Sequence, residues 1–177
     1  MIVGDPFYFA LQFDVVDSWN SPGDSWRNGI FYLYVSGEKI FSVVDVLELE
    51  TIFSFYSKAP IEGLCVNDVQ LNSADIYKSA SEYFWGDGVE VVKGLFDLTA
   101  TAMSDNGCFL YFIKTSIGDR LVWSVDGGGM CQRGVSGDGC CIECDQEASL
   151  LLFISCRKKK RGRQHKGDRF EWHLLKR

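Results

Sequence analysis

From residue 7 the chain reads FYFALQFDVV, in which Phe7, Phe9, Leu11, Phe13 and Val15 share one parity and Gln12 and Asp14 the other. That alternation is the period of a β-strand with one buried face. Residues 17–28 (DSWNSPGDSWRN) are rich in Ser, Asn, Pro and Gly and predict a loop. Residues 29–35 (GIFYLYV) predict a second strand, Ser36-Gly37-Glu38-Lys39 a tight turn, and residues 40–44 a third strand, so the chain opens as an antiparallel meander. Over residues 46–52, Leu47, Leu49 and Thr51 oppose Glu48 and Glu50, which predicts a further strand with one solvated face, closed before Pro60.

After Ser73, a potential helix cap, the spacing changes. Ile76, Tyr77, Ala80, Tyr83 and Phe84 recur at helical intervals, Asp75 lies in the first turn near the positive end of the dipole, and Gly86 ends the run. After Asn106-Gly107, residues 108–114 (CFLYFIK) and 120–126 (RLVWSVD) are runs of strand length that predict a hairpin turning at residues 116–119. Gly127-Gly128-Gly129 breaks the chain, residues 130–148 read as a Gly- and Cys-rich loop with a short strand at 141–143, and residues 149–156 (SLLLFISC) form an apolar run of strand length. The pattern predicts one α+β domain: a mainly antiparallel sheet including residues 7–16, 29–35, 46–50, 108–114 and 120–125, with one principal helix at 75–84 packed on it.

Charge divides the chain where the pattern does not. Residues 1–156 carry 8 Lys and Arg against 22 Asp and Glu, a net of −14, while residues 157–177 carry 10 against 2, a net of +8. The organisation is therefore an acidic α+β body over residues 1–156 and a basic C-terminal tail over 157–177. An acidic body repels nucleic acid and membrane surfaces and speeds encounter with basic partners. With no run approaching the roughly 20 apolar residues of a membrane span, and no basic-then-apolar leader at Met1-Ile2-Val3-Gly4-Asp5-Pro6, the expected location is the cytoplasm, where thiols stay reduced.

Catalytic chemistry finds little to work with. The only histidines, His165 and His173, lie in the tail, away from any core that could hold a base beside a nucleophile, so no catalytic residue is assigned. Cys131, Cys140, Cys141 and Cys144 offer four thiols within a short segment, but just one well-formed C-x-x-C pair, so reduced loop thiols without metal are the simpler reading and no metal or cofactor is assigned. Cys65, Cys108 and Cys156 sit in apolar contexts that predict small buried hydrophobes. The alternative function is a small metal- or nucleic-acid-binding module built from residues 131–144 and the basic tail. Trp19 and Trp26, with Asp14, Asp17 and Asp24 around them, combine aromatic area with carboxylates. They suit either a protein-recognition surface or, for the rings, a cap on the core.

Short blocks along the chain carry a resemblance. Met1-Ile2-Val3-Gly4-Asp5-Pro6, Phe9-Ala10, Trp19, Asn28-Gly29, Val35-Ser36-Gly37-Glu38, Ala59-Pro60-Ile61, the helix near residues 75–84, Ser104-Asp105-Asn106-Gly107-Cys108-Phe109 and Asp119-Arg120-Leu121-Val122 stand in the order of similar blocks in immunity protein family 42. Over roughly residues 1–126 the chain resembles that family; from Gly127 the Cys/Gly-rich segment and basic tail depart from it. The resemblance implies a bacterial, cytoplasmic, non-enzymatic antitoxin of a polymorphic-toxin or contact-dependent growth inhibition system. Its partner would be the cognate toxin C-terminal domain, bound one to one at the active or substrate-binding surface. Many such toxins are basic nucleases, which the −14 body fits, whereas a membrane or nucleic acid does not fit as partner. Asp14, Asp17, Trp19, Asp24 and Trp26 are the expected toxin interface.

Overall fold

Alternating burial along β3 (Asn28–Val35) sets the first sheet, because Gly29, Phe31, Leu33 and Val35 turn inward while the residues between them are half-exposed. In the computed structural model, which describes residues 1–125 apart from 69, 117 and 118, β3 pairs antiparallel with β2 (Phe9–Val15) and with β4 (Glu38–Glu48). β1 (Ile2–Asp5) adds to the far side of β2, so the sheet runs β1-β2-β3-β4. Ser36 and Gly37 both take positive φ, 52° and 82°, as the two-residue turn between β3 and β4 requires, and the turn is one pair shorter than the four residues expected there.

Phe13, Phe31 and Phe41 lie on the buried face of this sheet, and α1 (Leu49–Lys58) covers it. Phe53 meets Phe13 edge-on with ring centroids 5.8 Å apart, and Tyr56 lies 6.0 Å from Phe31 and 6.3 Å from Phe9. This helix takes the place of residues 49–52 of the strand expected at 46–52, whose residues 46–48 are strand as the end of β4. The alternation of Leu47, Leu49 and Thr51 coincides with the stripe Leu49, Ile52, Phe53 and Tyr56, spaced i, i+3, i+4, i+7, and the longer stripe has more area to bury. Glu48 fixes the switch: its carboxylate accepts from the backbone N–H groups of Glu50 and Thr51, which a helix start leaves without intrahelical partners.

A second sheet, β5-β6-β7, is built separately, so the single sheet expected from the pattern is in fact two, within the α+β class that the pattern does predict. The described residues divide accordingly into two compact units, one over Met1–Ser57 and one beginning at Lys58. β6 (Phe109–Lys114) pairs antiparallel with β7 (Asp119–Ser124) and with the three-residue β5 (Leu95–Asp97). α2 (Ser73–Trp85) packs Ile76, Tyr77 and Ala80 into one cluster with Val92, Leu95, Tyr111, Ile113 and Val122. Its cap is Asn72 rather than Ser73: Asn72 Oδ1 accepts from the Asp75 N–H at 2.9 Å, and Asn72 Nδ2 donates to the Asp75 carboxylate at 2.8 Å. Tyr83, counted in the apolar stripe, faces outward, and Cys65 is exposed rather than buried, while Cys108 is buried and its thiol is pushed up to about 12 by burial. A single helical turn, α3 (Thr101–Ser104), precedes β6. The loop expected at 130–148, the runs at 141–143 and 149–156 and the tail at 157–177 lie outside the described residues.

Gly29 is closely enclosed on two sides. A Cβ there would lie 2.2 Å from the Asp14 carbonyl oxygen and 2.7 Å from Leu49 Cδ1, so β3 can approach β2 and α1 only without a side chain. Gly29→Ala is expected to cost about 1–3 kcal/mol in urea unfolding. Gly63→Ala, where a Cβ meets nothing within 4 Å, serves as the control and is expected to change stability little.

Candidate functional site

The loop between β2 and β3 holds four of the five expected interface residues, and backbone hydrogen-bonding demand explains its shape. Residues 16–27 leave the ladder, so their polar groups need other partners. Asn20 supplies them. Its Nδ2 donates to the Val16 carbonyl at 2.8 Å and to the Asn28 carbonyl at 2.9 Å, while its Oδ1 accepts from the Asn28 N–H at 2.7 Å. Asn28 Nδ2 in turn donates to the Trp19 carbonyl at 3.0 Å. This reciprocal clamp draws both ends of the loop together; in the sequence Asn20 belongs only to a turn-rich stretch, while Asn28 also falls in the Asn28-Gly29 block.

Within the clamp, Asp17 opens a 3-10 turn (Asp17–Trp19) and is exposed, and Trp19 is half-buried. Asp24 closes a second turn, its carboxylate accepting from the Ser21 N–H at 2.7 Å and its carbonyl from the Arg27 guanidinium at 2.9 Å. Trp26 stands out at 61% exposed. Trp19 therefore fits the capping role in part, and Trp26 offers its ring to solvent. Asp14 belongs to a different setting, on the outer face of β2. Tyr34 donates to Gln12 Oε1 at 2.9 Å, Gln12 Nε2 donates to Asp14 at 2.7 Å, and the N-terminal ammonium lies 3.5 Å from the same carboxylate. Lys39 sits 5.1 Å above the Tyr32 ring on that face.

Glu48 borders the loop as well, accepting weakly from the Arg27 N–H at 3.4 Å, while the Arg27 carbonyl accepts from the Leu49 N–H at 2.9 Å. Burial by itself would raise the Glu48 carboxyl, but the hydrogen bonds from Thr51, Glu50 and Arg27 together outweigh it and hold the group below its ordinary value. Among the described residues no group of three or more His, Cys, Asp or Glu side chains could hold a metal ion. Nor is any described helix long and apolar enough to cross a membrane. Cys131, Cys140, Cys141 and Cys144, on which the alternative metal site would rest, lie outside the described residues. What the loop offers is a surface: one exposed indole, carboxylates on rigid turns and a fixed outer sheet face.

Comparison with known proteins decides which lineage this surface belongs to. The sequence profile of Immunity protein 42 matches residues 1–147. The chain belongs to that family. The match extends beyond the residues 1–126 over which the short blocks resemble it, and so takes in the segment carrying Cys131, Cys140, Cys141 and Cys144. No curated protein matches the chain. Among solved structures, it is similar to CdiI from Burkholderia dolosa AUO158, with a TM-score of 0.61 at 17% identity, covering 90% of this chain and 99% of that one. At that identity the likeness is one of fold.

The cap on α1 generates a pH-dependent expectation. A carboxyl held below its unfolded value contributes stability that is present above the unfolded value and lost as pH falls through the folded one. Glu48→Ala is expected to cost about 0.5–2 kcal/mol at neutral pH. Urea unfolding across a pH series should show that difference shrinking as acid protonates Glu48; a cost independent of pH would contradict the role given to the carboxylate.

Proposed function

We propose that this protein is the immunity partner of a bacterial toxin of the polymorphic or contact-dependent growth inhibition kind. It binds the toxin's C-terminal domain one to one in the cytoplasm and blocks the active or substrate-binding surface without chemistry of its own. Membership of the Immunity protein 42 family over residues 1–147 carries this reading. The acidic body supports a basic toxin face, and a nuclease, which must hold a phosphate backbone, is the toxin class whose working surface has that charge.

The contact surface on this reading is the clamped loop with Asp17, Trp19, Asp24 and Trp26, extended by Asp14. Trp26 supplies area that a partner can bury, and the Asn20–Asn28 clamp means that little order remains to be imposed on binding. The carboxylates act chiefly on encounter, pairing with Lys or Arg at the edge of the contact.

Co-expression with the toxin encoded beside it is expected to keep cells alive, and the purified pair to associate at least about tenfold more slowly in high salt than in low salt. Death of cells that hold abundant protein, with no complex in vitro, would refute the immunity reading. Asp17→Asn with Trp26→Ala changes exposed side chains only and is expected to weaken the complex at least about tenfold. Full rescue and unchanged affinity in that variant would remove the loop from the interface while leaving the function in place.

A further inference from the structure

The end of α2 and the loop after it carry a second surface of the same chemistry, in the other unit. Within nine residues Tyr83 is 38% exposed, Trp85 52%, Val89 77% and Val91 61%. Single exposed hydrophobes are ordinary, but a concentration of this kind marks an interaction site. The segment is held in place. Gly86 and Gly88 both donate their N–H groups to the Glu82 carbonyl, at 3.2 and 2.9 Å, and a Cβ on Gly88 would fall 2.8 Å from the Glu82 carbonyl carbon, so the loop folds back on the helix end as only glycine allows. Trp85 rests edge-on against Phe109 with centroids 5.3 Å apart. Asp87 and Glu90 are exposed beside these rings and valines, and among the described residues neither carboxylate has an ion pair or a hydrogen bond.

We propose that this surface docks a cationic face of a protein partner, with Trp85 as the anchor that becomes buried and Asp87 and Glu90 pairing with its Lys or Arg side chains. The charges select the occupant. Nucleic acid and anionic lipid are repelled, and a second copy of this chain, meeting the surface about a two-fold axis, would set like carboxylates against each other. The inference rests on the immunity reading for the partner's identity, which makes it the toxin domain, and it adds a contact region that the loop between β2 and β3 does not include. Because Trp85 already rests against Phe109, burying it costs little conformational entropy, which is the condition under which one aromatic side chain contributes most to affinity.

The test measures association and dissociation rates of the full chain with the toxin domain encoded beside it. Trp85→Ala, and separately Val89→Ser with Val91→Ser, are expected to weaken binding at least about tenfold, mainly through faster dissociation. Asp87→Asn with Glu90→Gln is expected to slow association and flatten its salt dependence. The valine pair is exposed, so its fold is preserved even if Trp85→Ala unfolds, and wild-type rates in the valine variant would overturn the proposal. Wild-type chain that fails to bind the toxin would sink the immunity reading and this inference with it; wild-type binding that both sets of substitutions leave unchanged would sink this inference alone. A dimer of the isolated chain that the valine substitutions dissociate in sedimentation would also overturn it, in favour of a second copy.

Discussion

Phe31 touches Phe13, Phe41 and Tyr56 through its ring, with centroid separations of 5.6, 5.7 and 6.0 Å, and so joins three elements of the first unit at one point. Aromatic groups in such tilted and edge-on contacts bury large areas and also fix the angle at which a helix crosses a sheet. Gly29, two residues before Phe31 on the same face, removes the side chain that would hold β3 away from Leu49. The position of α1, and hence which residues of β2 and β3 remain outward, follows from this packing. Asp14, Gln12, Tyr32 and Tyr34 share the outer parity for the same reason that Phe13, Phe31 and Leu33 share the inner one.

The second unit repeats the principle with different material. Phe84 stacks on Tyr111, centroids 5.8 Å apart at 11°, and Tyr77 meets the same ring at 5.4 Å, so α2 is seated on β6 through Tyr111. Burial drives the Tyr111 hydroxyl far above its ordinary value, with neighbouring Tyr77 and Asp97 acting in the same direction, so it stays protonated. Seating α2 this way turns Tyr83 and Trp85 to the surface at the helix end. The first unit thus leaves exposed Trp26 on the hydrogen-bonded loop between β2 and β3, and the second leaves exposed Trp85 at the C-terminal end of α2, each with carboxylates close in sequence. On the proposed function, these are the surfaces that meet a basic protein face.

Strand β3 and helix α2 were legible in the sequence because their burial is periodic, β2 because its apolar residues alternate with Gln12 and Asp14, and β6 and β7 because each is an apolar run of strand length bounded by turn residues. β1 and β5 were not, since IVGD and LFD are too short for a period to emerge. α1 was hidden by coincidence: Leu47 and Leu49 alternate with Glu48 and Glu50 whether the segment is strand or helix, and the cap that decides between them is a carboxylate accepting backbone N–H groups. The candidate loop was visible through its Ser, Asn, Pro and Gly content and its two tryptophans, yet the Asn20–Asn28 clamp that shapes it depends on residues eight apart meeting in space. The surface at residues 83–91 escaped notice because Tyr83 falls on the helical stripe and Gly86 reads as a stop. Only the turn of the chain after that stop brings Val89 and Val91 to the surface together with Trp85.

The central proposal is that two prearranged acidic-aromatic surfaces, at residues 16–28 and 83–91, carry toxin binding. Amide hydrogen exchange of the full chain, alone and saturated with the toxin domain encoded beside it, tests this most directly. The account predicts added protection in residues 16–28 and 83–91, with the β2, β3 and β6 ladders changing little because they are already protected in the free protein. Protection confined to other segments, with exchange in both loops unaltered by bound toxin, would contradict it.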